Sequence, residues 1–154
     1  GVVLEDNRFP LIEKGQLKAV LTDKRTAHLY DLPHSGAAAG DYDDVPTIDS
    51  SHGGSLSFRT DSRNLKEALG GEPAIFAFIS SGGDFTADGA YAAPLQVSFL
   101  FDGRRLLGKL PEFSVRSHLD KMLGEDYIGT FDNDLFYFGD LPSQLQGYKM
   151  TIVQ

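Results

Sequence analysis

The 154-residue chain has no cysteine and no tryptophan. Without thiols it cannot build a disulfide scaffold, a thiolate zinc finger, an iron–sulfur site or a cysteine nucleophile. Positive charge is scarce, with 14 Lys and Arg against 22 Asp and Glu, a net charge of −8. Nucleic acid recruits clustered Lys and Arg to its phosphates, so this balance argues against it as a partner. The same sign opposes docking on an anionic membrane surface. Long hydrophobic runs are missing too. The longest, Pro73 to Ile79, falls far short of the roughly 20 residues a spanning helix requires. No basic stretch followed by an apolar run opens the chain, so no signal peptide is visible. A reducing compartment, the cytoplasm, is the expected location. Gly1 in the place of Met sets the expectation of a piece cut from a longer chain.

What is present suits a folded domain. Hydrophobic residues make up 41% and charged residues 23%, ordinary values for a globular protein. A chain of this length buries roughly 68–70% of its unfolded surface. One domain spanning 1–154 is therefore expected.

Local patterns favour strands. Arg8–Ile12 and Gln16–Leu21 flank Glu13-Lys14-Gly15 as a hairpin, with Gly supplying positive φ at the turn. Thr22-Asp23 reads as the N-cap of a helix from Lys24 to Leu32, stopped by Pro33. Pro33 to Gly54 shows little periodicity and reads as a long surface excursion. Ser55–Arg59 alternates like a half-buried strand. Asp61-Ser62 is expected to cap a helix from Arg63 to Leu69 that ends at Gly70-Gly71. Ala74–Ile79 is apolar on both faces and reads as a central strand covered on both sides. Asp102-Gly103 between Leu95–Phe101 and Arg105–Leu110 is a strong hairpin signal. Ser114 or Ser117 is expected to cap a helix over His118–Leu123. Strand patterns return at Tyr127–Gly129, Leu135–Phe138 and Tyr148–Val153. The expected fold is mainly β, or α+β with a dominant antiparallel sheet, barrel- or sandwich-like. It holds about seven to nine strands and about three short helices.

No complete catalytic set is legible. His34 and His52 bracket Asp41, Asp43, Asp44 and Asp49, a mixture able to hold a divalent cation if it converges in space. An EF-hand started at Asp41 fails, because Pro46 and His52 stand where Gly and Glu are required. Ser80-Ser81-Gly82-Gly83 lacks the Gly-x-Ser-x-Gly elbow, and no base is signalled for a serine nucleophile. Gly82-Gly83 presents backbone amides to an anion or simply turns the chain after a strand. The 11 Phe and 6 Tyr fall mostly in strand patterns and read as core rather than a base-stacking platform. Ser81, Gly82, Gly83 and Asp84 follow the most apolar strand, where rigid scaffolds present function, and are the candidate substrate- or partner-binding residues. No catalytic or metal residue is assigned.

Read as an ordered string, several segments carry a resemblance. They are Pro10–Lys18, Leu21–Ala27, Ser81–Tyr91, Leu95–Gly103, Gly108–Pro111, Leu119–Gly124 and Phe138-Gly139-Asp140 with Pro142-Ser143. Together they resemble the C-terminal domain of the TldD/PmbA family, peptide-processing metalloproteases long labelled modulators of DNA gyrase. The resemblance implies an upstream α/β domain and a helix carrying His-Glu-x-x-x-His for zinc, neither of which is in this chain. The zinc-bearing type also brings a Cys to the metal, and this chain has none. The PmbA-like half, without its own zinc, is the closer match. The implied role is a non-catalytic domain that contributes to dimerisation and to a chamber holding unfolded peptide, with zinc in the parent chain or in a homologous partner subunit. Peptide capture by an exposed strand edge suits a β-rich domain. A self-sufficient hydrolase built on His34 and His52, and a binding or assembly module unconnected with proteolysis, are the alternatives.

Overall fold

The computed structural model describes residues 2–48, 57–132 and 144–153. The chain divides into two compact units, Gly1–Ser57 and Phe58–Gln154. Among the described residues there are eleven strands in four open antiparallel sheets and three short α-helices. The mainly β expectation holds, and no sheet among them closes into a barrel.

In the first unit, β1 (Ile12–Glu13) pairs with β2 (Gln16–Leu17). Lys14 and Gly15, with φ of 52° and 73°, form the two-residue turn whose twist matches paired strands. The hairpin is shorter than its sequence pattern. Helix α1 (Lys24–Tyr30) starts at Asp23, whose carboxylate accepts from the Thr26 amide at 2.6 Å. Asp31 ends it in the left-handed region, two residues before Pro33. Behind the helix, Thr22 and Ser35 are both buried and satisfy each other. The Thr22 amide donates to Ser35 Oγ at 2.9 Å, and the Ser35 amide donates to Thr22 Oγ1 at 3.0 Å. Ser35 Oγ donates to Thr22 O, and Thr22 Oγ1 to Pro33 O. The excursion after Pro33 is not bare loop, since Ala39 and Thr47 exchange two backbone bonds across a turn at Asp41–Asp44.

The second unit is organised by one bent antiparallel ribbon. Its outgoing limb is β5 (Ala90–Leu95) followed by β6 (Val97–Phe101), and its return is β7 (Leu106–Lys109) followed by β8 (Phe113–His118). Phe99 pairs with Lys109, the Leu110 amide donates to Ser98 O, and Leu95 pairs with Phe113, so pairing runs almost unbroken past the bend. Gln96 is the single residue between β5 and β6. The far half pairs with β3 (Ala74–Ile79) to give the sheet β3-β6-β7. The near half pairs with β4 (Asp84–Phe85) and β11 (Thr151–Val153) to give β11-β8-β5-β4. Ala93, Leu95 and Val115 form its buried core, flanked by Tyr91, Phe113 and Met150. A further pair, β9 (Tyr127–Asp132) with β10 (Gln144–Tyr148), completes the described strands.

Several expectations are corrected here. Among the described residues β3 pairs with β6 alone and is an edge strand, not a central one; β6 takes the middle because it pairs on both sides, and Ile75, Phe78 and Ile79 are exposed. Helix α2 (Leu65–Ala68) is capped by Asn64 in a reciprocal box with Glu67, not by Asp61-Ser62. Asp61 is occupied by Arg63 instead. Ser114 and Ser117 lie inside β8, and α3 (Leu119–Met122) is capped by His118. The hairpin expected at Asp102-Gly103 does form, as β6 against β7, its connection spanning Asp102 to Arg105 with Asp102 Oδ1 accepting from the Arg104 and Arg105 amides. Tyr148–Val153 is two strands in different sheets, broken at Lys149-Met150. The Leu135–Phe138 pattern and the start of Ser55–Arg59 lie outside the described residues.

Candidate functional site

The segment Ser81–Asp84 links β3 to β4, carrying the chain from one sheet to the other. Its conformation is held by Gln96 at the ribbon's bend. The Ser81 amide donates to Gln96 Oε1 at 3.0 Å, and Gln96 Nε2 donates to Ser81 O at 2.9 Å and Ser81 Oγ at 3.1 Å. Ser80 Oγ donates to Pro94 O at 3.0 Å. Gly82 turns the chain at φ 83° in open space. Gly83 lies flat on β5, where an added Cβ would stand 2.6 Å from that of Ala93. Asp84 pairs with Ala92, and its carboxylate accepts from the Phe85 amide at 2.7 Å. Phe85 stacks on Tyr91 with ring centres 4.6 Å apart. The four candidates are therefore contiguous and exposed. β4 is nonetheless a blunted edge: it is two residues long, and an amide of it is already taken by its own aspartate.

The opposite edge of the same sheet differs. β11 pairs with β8, with Thr151 opposite Arg116, Ile152 opposite Val115 and Val153 opposite Ser114. No described strand pairs with its outer side. Ile152 and Val153 are 52% and 37% exposed, although their residue type favours burial.

Two concavities flank this strand. At its start lies one of about 360 Å³, lined by Arg116, Lys121, Lys149, His118, Asp126 and Thr151 among others. Three permanent cations face one lining carboxylate. Lys121 makes a loose surface pair with Glu125 at 3.9 Å, and no described carboxylate pairs with Arg116 or Lys149. At the other end lies an apolar groove of about 660 Å³, lined by Ile75, Leu100, Leu110, Phe113, Ile152 and Val153 among others. It sits where the ribbon bends. A strand edge that no described strand pairs, with an apolar groove at one end and a cationic hollow at the other, can bind an extended chain.

This edge was invisible in the sequence as a site. Arg116, Lys121 and Lys149 are scattered singly through an acidic chain, and only the β8–β11 register brings the first and last together. Register follows pairing, which local pattern does not reveal.

The metal alternative finds no support among the described residues, where no three metal-capable side chains converge. His34 Nδ1 accepts from the Gly36 amide at 3.0 Å. His52 and Asp49 lie outside the described residues. No described helix is long and apolar enough to cross a membrane. No protein-family model matches the chain, and no curated protein matches it.

Proposed function

We propose that this chain is a non-catalytic, peptide-holding domain of a TldD/PmbA-type metalloprotease. The observation that carries the reading is the outer edge of β11, which no described strand pairs, with an apolar groove at one end and a cationic concavity at the other. Its support from sequence is the ordered resemblance described above. In this reading the domain holds unfolded substrate extended by main-chain pairing and lines the chamber. A homologous subunit, or an upstream part of the parent, carries the zinc that activates water for cleavage. The parent works as a homo- or heterodimer in the cytoplasm. Backbone pairing is indifferent to most side chains, which suits a protein that handles many unfolded sequences.

The test is a native mass spectrum of the parent purified gently from its own cells. A longer chain paired with a zinc-bearing subunit supports the reading. A metal-free species of 16.8 kDa without partner overturns it in favour of a free-standing binding module. Chelator-sensitive cleavage of an unfolded peptide by this chain alone would overturn the non-catalytic part.

A further inference from the structure

We infer that the concavity at the start of β11 receives the C-terminal carboxylate of a peptide that adds antiparallel to the outer edge of that strand. This deepens the peptide-holding reading and rests on it.

Direction follows from the strand. β11 runs from Thr151 to Val153, and β11 and β8 are themselves antiparallel. A peptide added antiparallel to β11 runs the opposite way along it, so its last residue arrives beside Lys149, Met150 and Thr151. Those residues line the cationic hollow. The preceding peptide residues then lie beside Ile152 and Val153, next to the apolar groove. Polarity and lining chemistry therefore agree, with the negative end at the cations and the apolar part at the groove.

Charge selects the ligand. Arg116 offers a planar fork suited to bidentate carboxylate recognition, and it stands directly opposite Thr151 on the neighbouring strand. Lys149 follows the end of β10 and Lys121 projects from α3, so the cations come from three separate elements. Asp126 offsets one of them and Glu125 pairs with Lys121, leaving an excess matched to a single carboxylate rather than to a dense polyanion. In a chain of net charge −8, a local cationic hollow also orients an approaching anionic peptide end against repulsion from the remaining surface.

The test uses the full chain and a fluorescein-labelled unstructured peptide ending in three apolar residues, made once with a free C-terminal carboxylate and once as the amide. Anisotropy titrations are expected to give about tenfold tighter binding for the acid, the scale of a charge-assisted bidentate contact. Arg116→Gln and Lys149→Gln, both at exposed side chains, should bring the ratio of acid to amide affinity down to about one. Equal binding of acid and amide by the unaltered chain overturns the carboxylate pocket while the peptide-holding reading stands. Binding of neither peptide overturns both. A preference for the acid that survives both substitutions places the carboxylate elsewhere and also overturns the inference.

Discussion

At the scale of single residues, similar-looking buried hydroxyls have opposite consequences. Thr22 is 1% exposed and its hydroxyl serves both Ser35 and Pro33. Thr22→Val keeps the volume but strands a buried amide and carbonyl, and should lower stability by about 1–3 kcal/mol in urea denaturation. Ser98 is equally buried, yet its hydroxyl has no partner among the described residues. Ser98→Ala should be neutral or stabilising by about 1 kcal/mol, because it removes a desolvated group that makes no bond. A loss of stability there would show that the hydroxyl is satisfied in solution. Asp61 provides a pH readout. Side-chain and backbone hydrogen bonds from Arg63 hold its carboxyl at about 2, below an ordinary 3.8. A depressed carboxyl pKa means the pair's contribution is complete above pH 3.8 and disappears as pH falls through about 2. NMR titration of the Asp61 carboxyl should find its midpoint near 2, and Arg63→Gln should return it toward 3.8.

At the scale of elements, the segment from β3 to β4 depends on two contacts that can be broken separately. Gln96→Ala removes the side chain that holds Ser81 at both its amide and its carbonyl, and should speed hydrogen exchange at the Ser81 amide without moving β5. Gly83→Ala drives a methyl into Ala93 and should cost about 1–3 kcal/mol by overpacking, loosening Asp84 and Phe85 from β5. Much of this level was legible in the sequence. The run Ala74–Ile79 marked a strand with its observed bounds, Gly70-Gly71 marked a helix end, and Asp23 marked a helix start. Each signal is local chemistry: β-branched and aromatic residues, positive φ, a carboxylate beside free amides. Partnership was not legible. Nothing in Ala74–Ile79 says that β6 is its partner among the described strands, and His118 took the cap from Ser114 and Ser117 because β8 runs on through both serines. The Ser81–Asp84 candidates could be chosen for following an apolar strand, whereas the β11 edge required knowing which strand is outermost.

At the scale of the whole molecule, apolar side chains without cover govern behaviour in solution. Ile75, Ile79, Phe85, Ile152 and Val153 are all exposed in the second unit, and a strand edge that no described strand pairs invites pairing with another chain. The isolated chain should self-associate with rising concentration in sedimentation velocity. Ile152→Lys, a charge on the open edge, should reduce that association. A monomer at every concentration would mean that the edge is protected.

The bent ribbon also fixes an order of events in folding. β5 and β8 meet only after the chain between them is gathered in, and β6 and β7 lie within that stretch. Once the Asp102–Arg105 turn and the β6–β7 pair form, Leu95 and Phe113 are held at the mouth of a closed hairpin rather than at the ends of a free loop. The entropy of closure has then been met in local steps, so a sheet that looks non-local by sequence can zip outward from its bend. Loosening the turn at Asp102 should therefore slow folding while changing the unfolding rate little, the behaviour of an early-forming contact. The bend is thus both where the two sheets divide and the relay by which the structure of one reaches the other.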